Sequence, residues 1–203
     1  MNDRELEVKY YVNDLRMLEQ RLIRLKAQLV QPRTHEINLR FDTPDGDLAG
    51  SFQVLRLRQD TAARLTYKGP ARVEGGVRVR QEIEFVVSDF EAARALLEAL
   101  GYQVAMIYEK YRSMYNLGEV HVTLDVLPYG DFVEIEGPDP ESIRAVNDRL
   151  GLDWDARAPE SYVMLFDRLR QEMNLPFRDL SFENFKSLDI PEEIFGLRAA
   201  DEM

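Results

Sequence analysis

Cysteine is absent from the 203 residues, which excludes disulfides and thiolate chemistry and fits a reducing, cytoplasmic compartment. Only two histidines occur, His35 and His121, which argues against a histidine-rich zinc site. Basic charge is in deficit: 26 Lys and Arg stand against 37 Asp and Glu, for a net charge of -11. No broad electrostatic footprint for nucleic acid or an anionic membrane surface is therefore expected, although a small basic pocket inside an acidic protein is compatible with that balance. No run approaches the roughly 18 apolar residues of a spanning helix. The opening MNDRELEVKYY places charges where a signal peptide needs an apolar stretch. Internal repeats and low-complexity segments are also missing. What is present is a 45% hydrophobic composition, enough for one sizeable core.

Period-two alternation marks the strands. Glu5, Glu7 and Lys9 alternate with Leu6, Val8 and Tyr10. Further strands are expected over 36–42, 54–59, 64–68, 77–87, 102–115, 121–127 and 132–137. Asn13 or Asp14 caps a helix whose stripe, Leu15, Leu18, Leu22, Leu25 and Leu29, runs as core until Pro32. Thr43-Pro44-Asp45-Gly46 and Gly75-Gly76 are turns by composition. Helices are expected from Ser88 or Asp89 to Leu100, from Pro140 to Leu150 and from Ser161 to Met173. Eight strands with mostly short connections imply antiparallel neighbours, and such a sheet removes its edges by closing into a barrel. The fold class is α+β: an eight-stranded antiparallel barrel over residues 1–175, with helices, and a Phe-rich acidic extension over 176–203. The extension carries Phe177, Phe182, Phe185 and Phe195 and docks on the barrel or on a second subunit.

Nearly every strand has one charged and one apolar face. The charged faces carry Arg56 and Arg58; Arg64, Thr66 and Lys68; Arg78, Arg80, Glu82 and Glu84; Lys110 and Arg112; His121, Thr123 and Asp125; and, with Phe132, Glu134 and Glu136. Two barrels are compatible with this. Either the apolar face fills the lumen, or the charges line it and helices cover the apolar outside; the supply of amphipathic helices favours the second. Clustered carboxylates suit hard divalent cations, and clustered Arg and Lys suit phosphate oxygens. A lumen with both sets is what a metal–polyphosphate ligand requires.

Glu5-Leu6-Glu7-Val8-Lys9, Leu55-Arg56-Leu57-Arg58, Thr66-Tyr67-Lys68-Gly69-Pro70, Arg80-Gln81-Glu82-Ile83-Glu84, Lys110-Tyr111-Arg112, Leu124-Asp125, Glu134-Ile135-Glu136 and Ser161-Tyr162 follow one another in the order of a known set of motifs. On them the chain resembles the CYTH superfamily, the triphosphate tunnel metalloenzymes. The resemblance runs from about Arg4 to about Leu169 and implies a tunnel with its charges inside. Within the family it looks most like the class IV adenylyl cyclase branch, on His35-Glu36, LTYKGP and Tyr129-Gly130-Asp131-Phe132. It departs from that branch at Asn38 and Arg40, and Phe41-Asp42-Thr43-Pro44-Asp45-Gly46 is similar to the triphosphatase branches.

The resemblance implies a divalent cation, Mg2+ or Mn2+, held by Glu5, Glu7, Glu134 and Glu136. It implies a triphosphate gripped by Lys9, Arg56, Arg58, Lys68, Arg80, Lys110 and Arg112, with Glu82 and Glu84 pairing those cations. Salt-bridging to the tunnel cations is the structural alternative for the carboxylates. Asp125 takes a second metal, orients a base, or is the buried partner of Lys110 or Arg112. Lys9, Asp125 and Arg112 are the candidate catalytic set. Arg78 lies at the rim; His35 and His121 are read as structural; Thr66 either bonds ligand or is a plain strand residue. Tyr162 closes a tunnel end or packs a helix. The substrate implied is ATP, giving cyclic AMP and pyrophosphate, or another triphosphate that is hydrolysed; a non-catalytic polyphosphate or nucleotide sensor is the third reading. The family is often homodimeric, and no interface is legible in this sequence.

Overall fold

The computed structural model describes residues 4–191, 194 and 196–202. Phe195 of the expected extension lies outside the described residues. In chain order the elements are β1 (Arg4–Val12), α1 (Leu15–Arg24), β2 (Gln28–Asp42), α2 (Asp47–Gly50), β3 (Val54–Gln59), β4 (Ala63–Lys68), β5 (Arg72–Glu74), β6 (Val77–Val87), α3 (Phe90–Ala99), β7 (Gln103–Leu117), β8 (Val120–Leu127), β9 (Gly130–Glu136), α4 (Pro140–Leu150), α5 (Tyr162–Met173) and α6 (Phe182–Phe185).

The strands run in the order β1-β9-β8-β7-β2-β3-β4-β6 and close through an antiparallel pairing of Arg4–Glu7 with Arg78–Gln81. This is the expected eight-stranded antiparallel barrel. A ninth strand, β5, turns back on β6 at Gly75-Gly76 and continues the line of β4 beyond Gly69-Pro70. Both turn glycines have positive φ, a conformation that costs residues with a Cβ.

The apolar face of the barrel points outward and the helices cover it. Leu18 and Leu22 of α1, with Ile143, Val146 and Leu150 of α4, pack on Leu6, Val8, Val122, Val133 and Ile135. Leu97 of α3 packs on Leu39, Phe41 and Leu57. Helix α5 and the tail bury Tyr129, Phe132, Phe166 and Phe185. The inverse arrangement, with charges inside, is the one observed. No helix among the described residues is long and apolar enough to cross a membrane.

Side-chain caps start the helices where the sequence places them: Asp14, Asp89, Asp139 and Ser161 each accept a backbone N–H. The end of α1 differs from expectation. Lys26 adopts a left-handed conformation (φ 58°), Ala27 N–H bonds Leu22 O at 3.0 Å and Lys26 N–H bonds Ile23 O at 2.9 Å. That Schellman closure stops the helix at Arg24, so Leu29 falls in β2 and is 49% exposed rather than core. Strand β2 begins at Gln28, not Glu36. It runs past Pro32 with register breaks between Leu29 and Gln31 and between Gln31 and Thr34, since proline has no N–H for the ladder.

The tail lies on the chain's own barrel. Leu180 N–H bonds Ile107 O at 2.9 Å and Leu180 O accepts from Glu109 N–H at 2.8 Å, extending β7 where β8 does not reach. Further on, the Asp201 carboxylate accepts the N–H groups of Asn13 and Asp14, both at 2.9 Å.

Replacing Leu22 by Ala should destabilise the protein by about 2–4 kcal/mol, because a fully buried leucine leaves a cavity. Leu29→Ala should change stability by under about 1 kcal/mol. Urea denaturation of both variants checks the assignment; equal losses would return Leu29 to the helix and the core.

Candidate active site in the barrel lumen

Because successive side chains of a strand alternate faces, the outward packing of Leu6 and Val8 forces Glu5, Glu7 and Lys9 inward. The same rule brings in Arg56 and Arg58, Thr66 and Lys68, Arg78 to Glu84, Tyr108 to Arg112, Thr123 and Asp125, and Glu134 and Glu136. Most of them line a cavity of about 850 Å³. Glu5, Glu7, Lys9, Arg56, Lys68, Lys110, Arg112 and Asp125 are all buried.

Three groups of contacts organise the lumen. In the first, Glu5 accepts from Lys68 Nζ at 2.6 Å and from Arg80 Nε at 2.5 Å, while Glu82 lies 3.0 Å from Lys68 and Glu7 lies 3.5 Å from Arg80 and 3.6 Å from Arg78. Burial pushes the Glu5 carboxyl up, but Lys68 and Arg80 more than reverse this and hold it well below the usual range. Glu136 makes no ion pair among the described residues. The residue is exposed at the end of β9, yet partial desolvation of its carboxyl and the charges of Glu5, Glu7 and Glu82 push it up to about 7. Glu82 is also raised, by burial and by Glu5.

The second group centres on Asp125. Arg112 Nε donates to its Oδ1 at 2.6 Å, Lys110 Nζ to its Oδ2 at 3.0 Å and Tyr162 Oη to Oδ2 at 2.9 Å. Arg112 also reaches Glu134 at 2.5 Å, and Lys9 lies 3.3 Å from Glu134. These cations hold the Glu134 carboxyl low against the burial that raises it. The Lys9 ammonium sits over the Tyr162 ring, 4.0 Å from its centroid. Tyr162 stacks edge-on against Phe132 at 5.1 Å, and its carbonyl accepts from Tyr129 Oη at 2.8 Å. Helix α5 therefore plugs this end of the lumen. Phe132 shares the strand face of Glu134 and Glu136 but belongs to that plug.

In the third group, Glu84 receives Thr66 Oγ1 at 2.7 Å, Arg58 at 3.1 Å and Arg56 at 3.3 Å. Arg56 also donates to Tyr108 Oη at 3.3 Å. The predicted site residues thus line one lumen except Asp125, which is fully buried behind Lys110, Arg112 and Tyr162. His35 stays outside it, against Tyr111 and near Glu109, and His121 lies by the rim with Nδ1 2.6 Å from Asn116 Oδ1.

Three lumen residues escaped the sequence reading. Glu36 is 1% exposed, with Lys110 at 3.7 Å and Arg58 at 3.9 Å and no hydrogen bond to either carboxylate oxygen. Burial raises its carboxyl, and Lys110, Arg112 and Arg58 together bring it below its ordinary value. Asn38 is fully buried with its amide unpartnered, and Tyr108 is the hydroxyl beside Arg56. The signal was the alternation of Glu36, Asn38 and Arg40 with Ile37, Leu39 and Phe41.

Among the described residues no three carboxylates or imidazoles stand close enough together to hold a cation as they are. The donor chemistry nevertheless fits a hard divalent ion. Glu5, Glu7, Glu134 and Glu136 line one cavity, and carboxylate oxygens are the donors such an ion prefers.

The profile of the CYTH domain matches residues 3–148. The chain belongs to the CYTH family. It is 32% identical over 136 residues to the adenylate cyclase CyaB of Aeromonas hydrophila, covering 64% of this chain and 67% of that protein. The fold of this CYTH chain is similar to that of a candidate adenylate cyclase from Vibrio parahaemolyticus, with a TM-score of 0.74 at 24% identity, covering 82% of this chain and 99% of the other. It is also similar to HpAC1 of Hippeastrum, a candidate adenylyl cyclase described as having a dominant triphosphatase activity, with a TM-score of 0.62 at 19% identity over 80% and 95% of the two chains.

Two substitutions should part in their effects. Asp125→Ala strands two buried cations and should cost about 3–5 kcal/mol of stability in a urea titration. Glu136→Gln should stabilise the metal-free protein. A carboxyl raised in the folded state binds more protons there than when unfolded, so stability falls as pH climbs from the unfolded value near 4 towards 7. The gain from Glu136→Gln should therefore grow over that window, read as melting temperature in chelator; a gain that is flat with pH would contradict the crowding of carboxylates.

Proposed function

We propose that this CYTH protein is a divalent-metal-dependent enzyme that takes the triphosphate of ATP into the lumen and forms cyclic AMP and pyrophosphate. The observation that carries the reading is one lumen lined by both clustered cations and clustered carboxylates, Glu5 between Lys68 and Arg80 among them, in a family member 32% identical over 136 residues to a protein named adenylate cyclase. In that reaction the ribose 3′-hydroxyl oxygen bonds to the α-phosphorus and gives up its proton to water, while the bond from that phosphorus to the bridging oxygen breaks and pyrophosphate leaves with the electron pair. Such transfers need positioning and charge compensation more than covalent help.

Lys9, Arg56, Arg58, Lys68, Arg80, Lys110 and Arg112 are the groups proposed to bind the phosphate oxygens, arginine with paired donors and lysine as a point charge. Glu82 and Glu84 pair with those cations, Glu82 with Lys68 and Glu84 with Arg56 and Arg58. Asp125 acts as a positioning residue for Lys110 and Arg112, a role its three donors support. Glu5, Glu7, Glu134 and Glu136 are the proposed ligands of Mg2+ or Mn2+; that ion supplies charge neutralisation at the attacking and leaving oxygens.

Hydrolysis of a terminal phosphate is the second reading. The Phe41-Asp42-Thr43-Pro44-Asp45-Gly46 string favours it, since it is similar to the triphosphatase branches.

Product analysis with ATP, tripolyphosphate and thiamine triphosphate, each with Mg2+ or Mn2+, tests the assignment. Cyclic AMP with stoichiometric pyrophosphate is expected from ATP. Orthophosphate without cyclic AMP would replace the cyclase by a triphosphatase, and binding without turnover would leave a sensor. Glu7→Gln should abolish metal-dependent turnover of a protein that still folds; unchanged turnover would remove Glu7 from the ligand set.

A further inference from the structure

The fold by itself does not explain Phe52. Helix α2 ends in a Schellman motif, in which Gln53 N–H bonds Leu48 O at 2.7 Å and Phe52 N–H bonds Ala49 O at 3.1 Å. The motif puts Phe52 in the left-handed region, φ 57°. Glycine is the residue that position favours, and a bulky aromatic there is an outlier. Burial does not compensate the strain, because Phe52 is 78% exposed. Nor is the segment loosely held. Asp42 is buried and accepts the backbone N–H groups of Thr43, Leu48 and Ala49 at 2.8, 2.9 and 3.0 Å, and Thr43 Oγ1 donates to Asp47 at 2.9 Å. The chain thus presents a strained, exposed ring on a firmly anchored loop. Strain retained without an internal return points to a use outside the fold.

The ring's location supplies the use. Phe52 lines the lumen cavity, two residues before Val54, which pairs with Lys68, and four before Arg56. Met164 of α5 lines the same cavity and is 53% exposed. Loop and helix contribute to one cavity wall: Phe52 from the loop, Met164 and Asp167 from α5, and Arg40 of β2 all line it. An apolar ring and a polarizable thioether, both largely exposed, therefore line the same cavity as the cations proposed to grip the triphosphate.

We propose that Phe52, with Met164, is an aromatic-base subsite, and that the substrate is a nucleoside triphosphate whose base stacks on Phe52 while its phosphates enter the lumen. The inference rests on the triphosphate reading above. Stacking on one exposed ring uses the π-face that every base has, so it selects nucleoside over inorganic triphosphate without itself choosing adenine.

Calorimetric titration with α,β-methylene ATP and with tripolyphosphate, in calcium buffer, tests it on the full chain. Phe52→Ala and Phe52→Gly should weaken the nucleotide about tenfold relative to tripolyphosphate, and Phe52→Trp should preserve the ratio. Phe52→Gly should melt at or above the wild-type temperature, since glycine relieves the left-handed strain. An unchanged affinity ratio in the Ala and Gly variants overturns the subsite, as does a melting temperature several degrees lower for Phe52→Gly, which would make the ring structural. Wild-type protein that binds neither ligand would remove the triphosphate reading itself, a result distinct from both.

Discussion

Mutual neutralisation of buried ions is the constraint on which the rest of this barrel depends. Moving a carboxylate or an ammonium out of water costs several kcal/mol even after relaxation, so a charged lumen is tolerable only if each ion finds opposite charge or a hydrogen bond. The ladder meets that demand through register. Lys9 stands opposite Glu134, Glu5 opposite Arg80, Lys68 opposite Glu82 and Arg112 opposite Asp125, because antiparallel pairing places those residues side by side. A slip of one residue in any strand would turn its charges to the helices and its Leu and Val to the lumen. Closure by the β1–β6 pairing and coverage by α1, α3, α4 and α5 follow from the same alternation, since the outer face is the apolar one.

The neutralisation is uneven, and the unevenness is what makes a site of the lumen. Around Asp125 every charge is met, and Tyr162 adds a hydrogen bond and a ring face. Around Glu136 carboxylates outnumber the cations within reach, and a proton is held more tightly as a result. Glu36 sits between these extremes, with Lys110 and Arg58 near but not bonded. A metal–triphosphate ligand brings positive charge to one end and negative charge to the other. It would take over the partners that the tunnel residues now supply to one another, so that binding exchanges ion pairs rather than creating charge in a dry interior.

The lumen lining and the proposed base subsite are built by different means. The groups proposed to bind phosphate stand on strands, where the pleat fixes direction and the ladder fixes spacing. Phe52 and Met164 stand on a short anchored loop and on a helix, which vary without disturbing the barrel.

Much of this was legible in the residues alone. Alternation of charged with apolar side chains determined the strands, their two faces and which charged residues share one, because a period of two needs no tertiary information; that this face lines the lumen followed from the family resemblance and from the closed barrel. Asp, Ser and Gly at the segment ends determined most helix limits by local hydrogen bonding. What only the tertiary structure decided was where a local signal was silent or shared. Leu29 fits a helical stripe, and the left-handed Lys26 removes it. Glu36 and Asn38 lie in a strand whose early part, broken at Pro32, hides its face until β7 pairs with it. The ion pairs the carboxylates make, the plug formed by Tyr162 and the docking of the tail on β7 all depend on contacts between residues distant in sequence. Pattern along a chain reports which side chains share a face; only the closed barrel sets which faces meet.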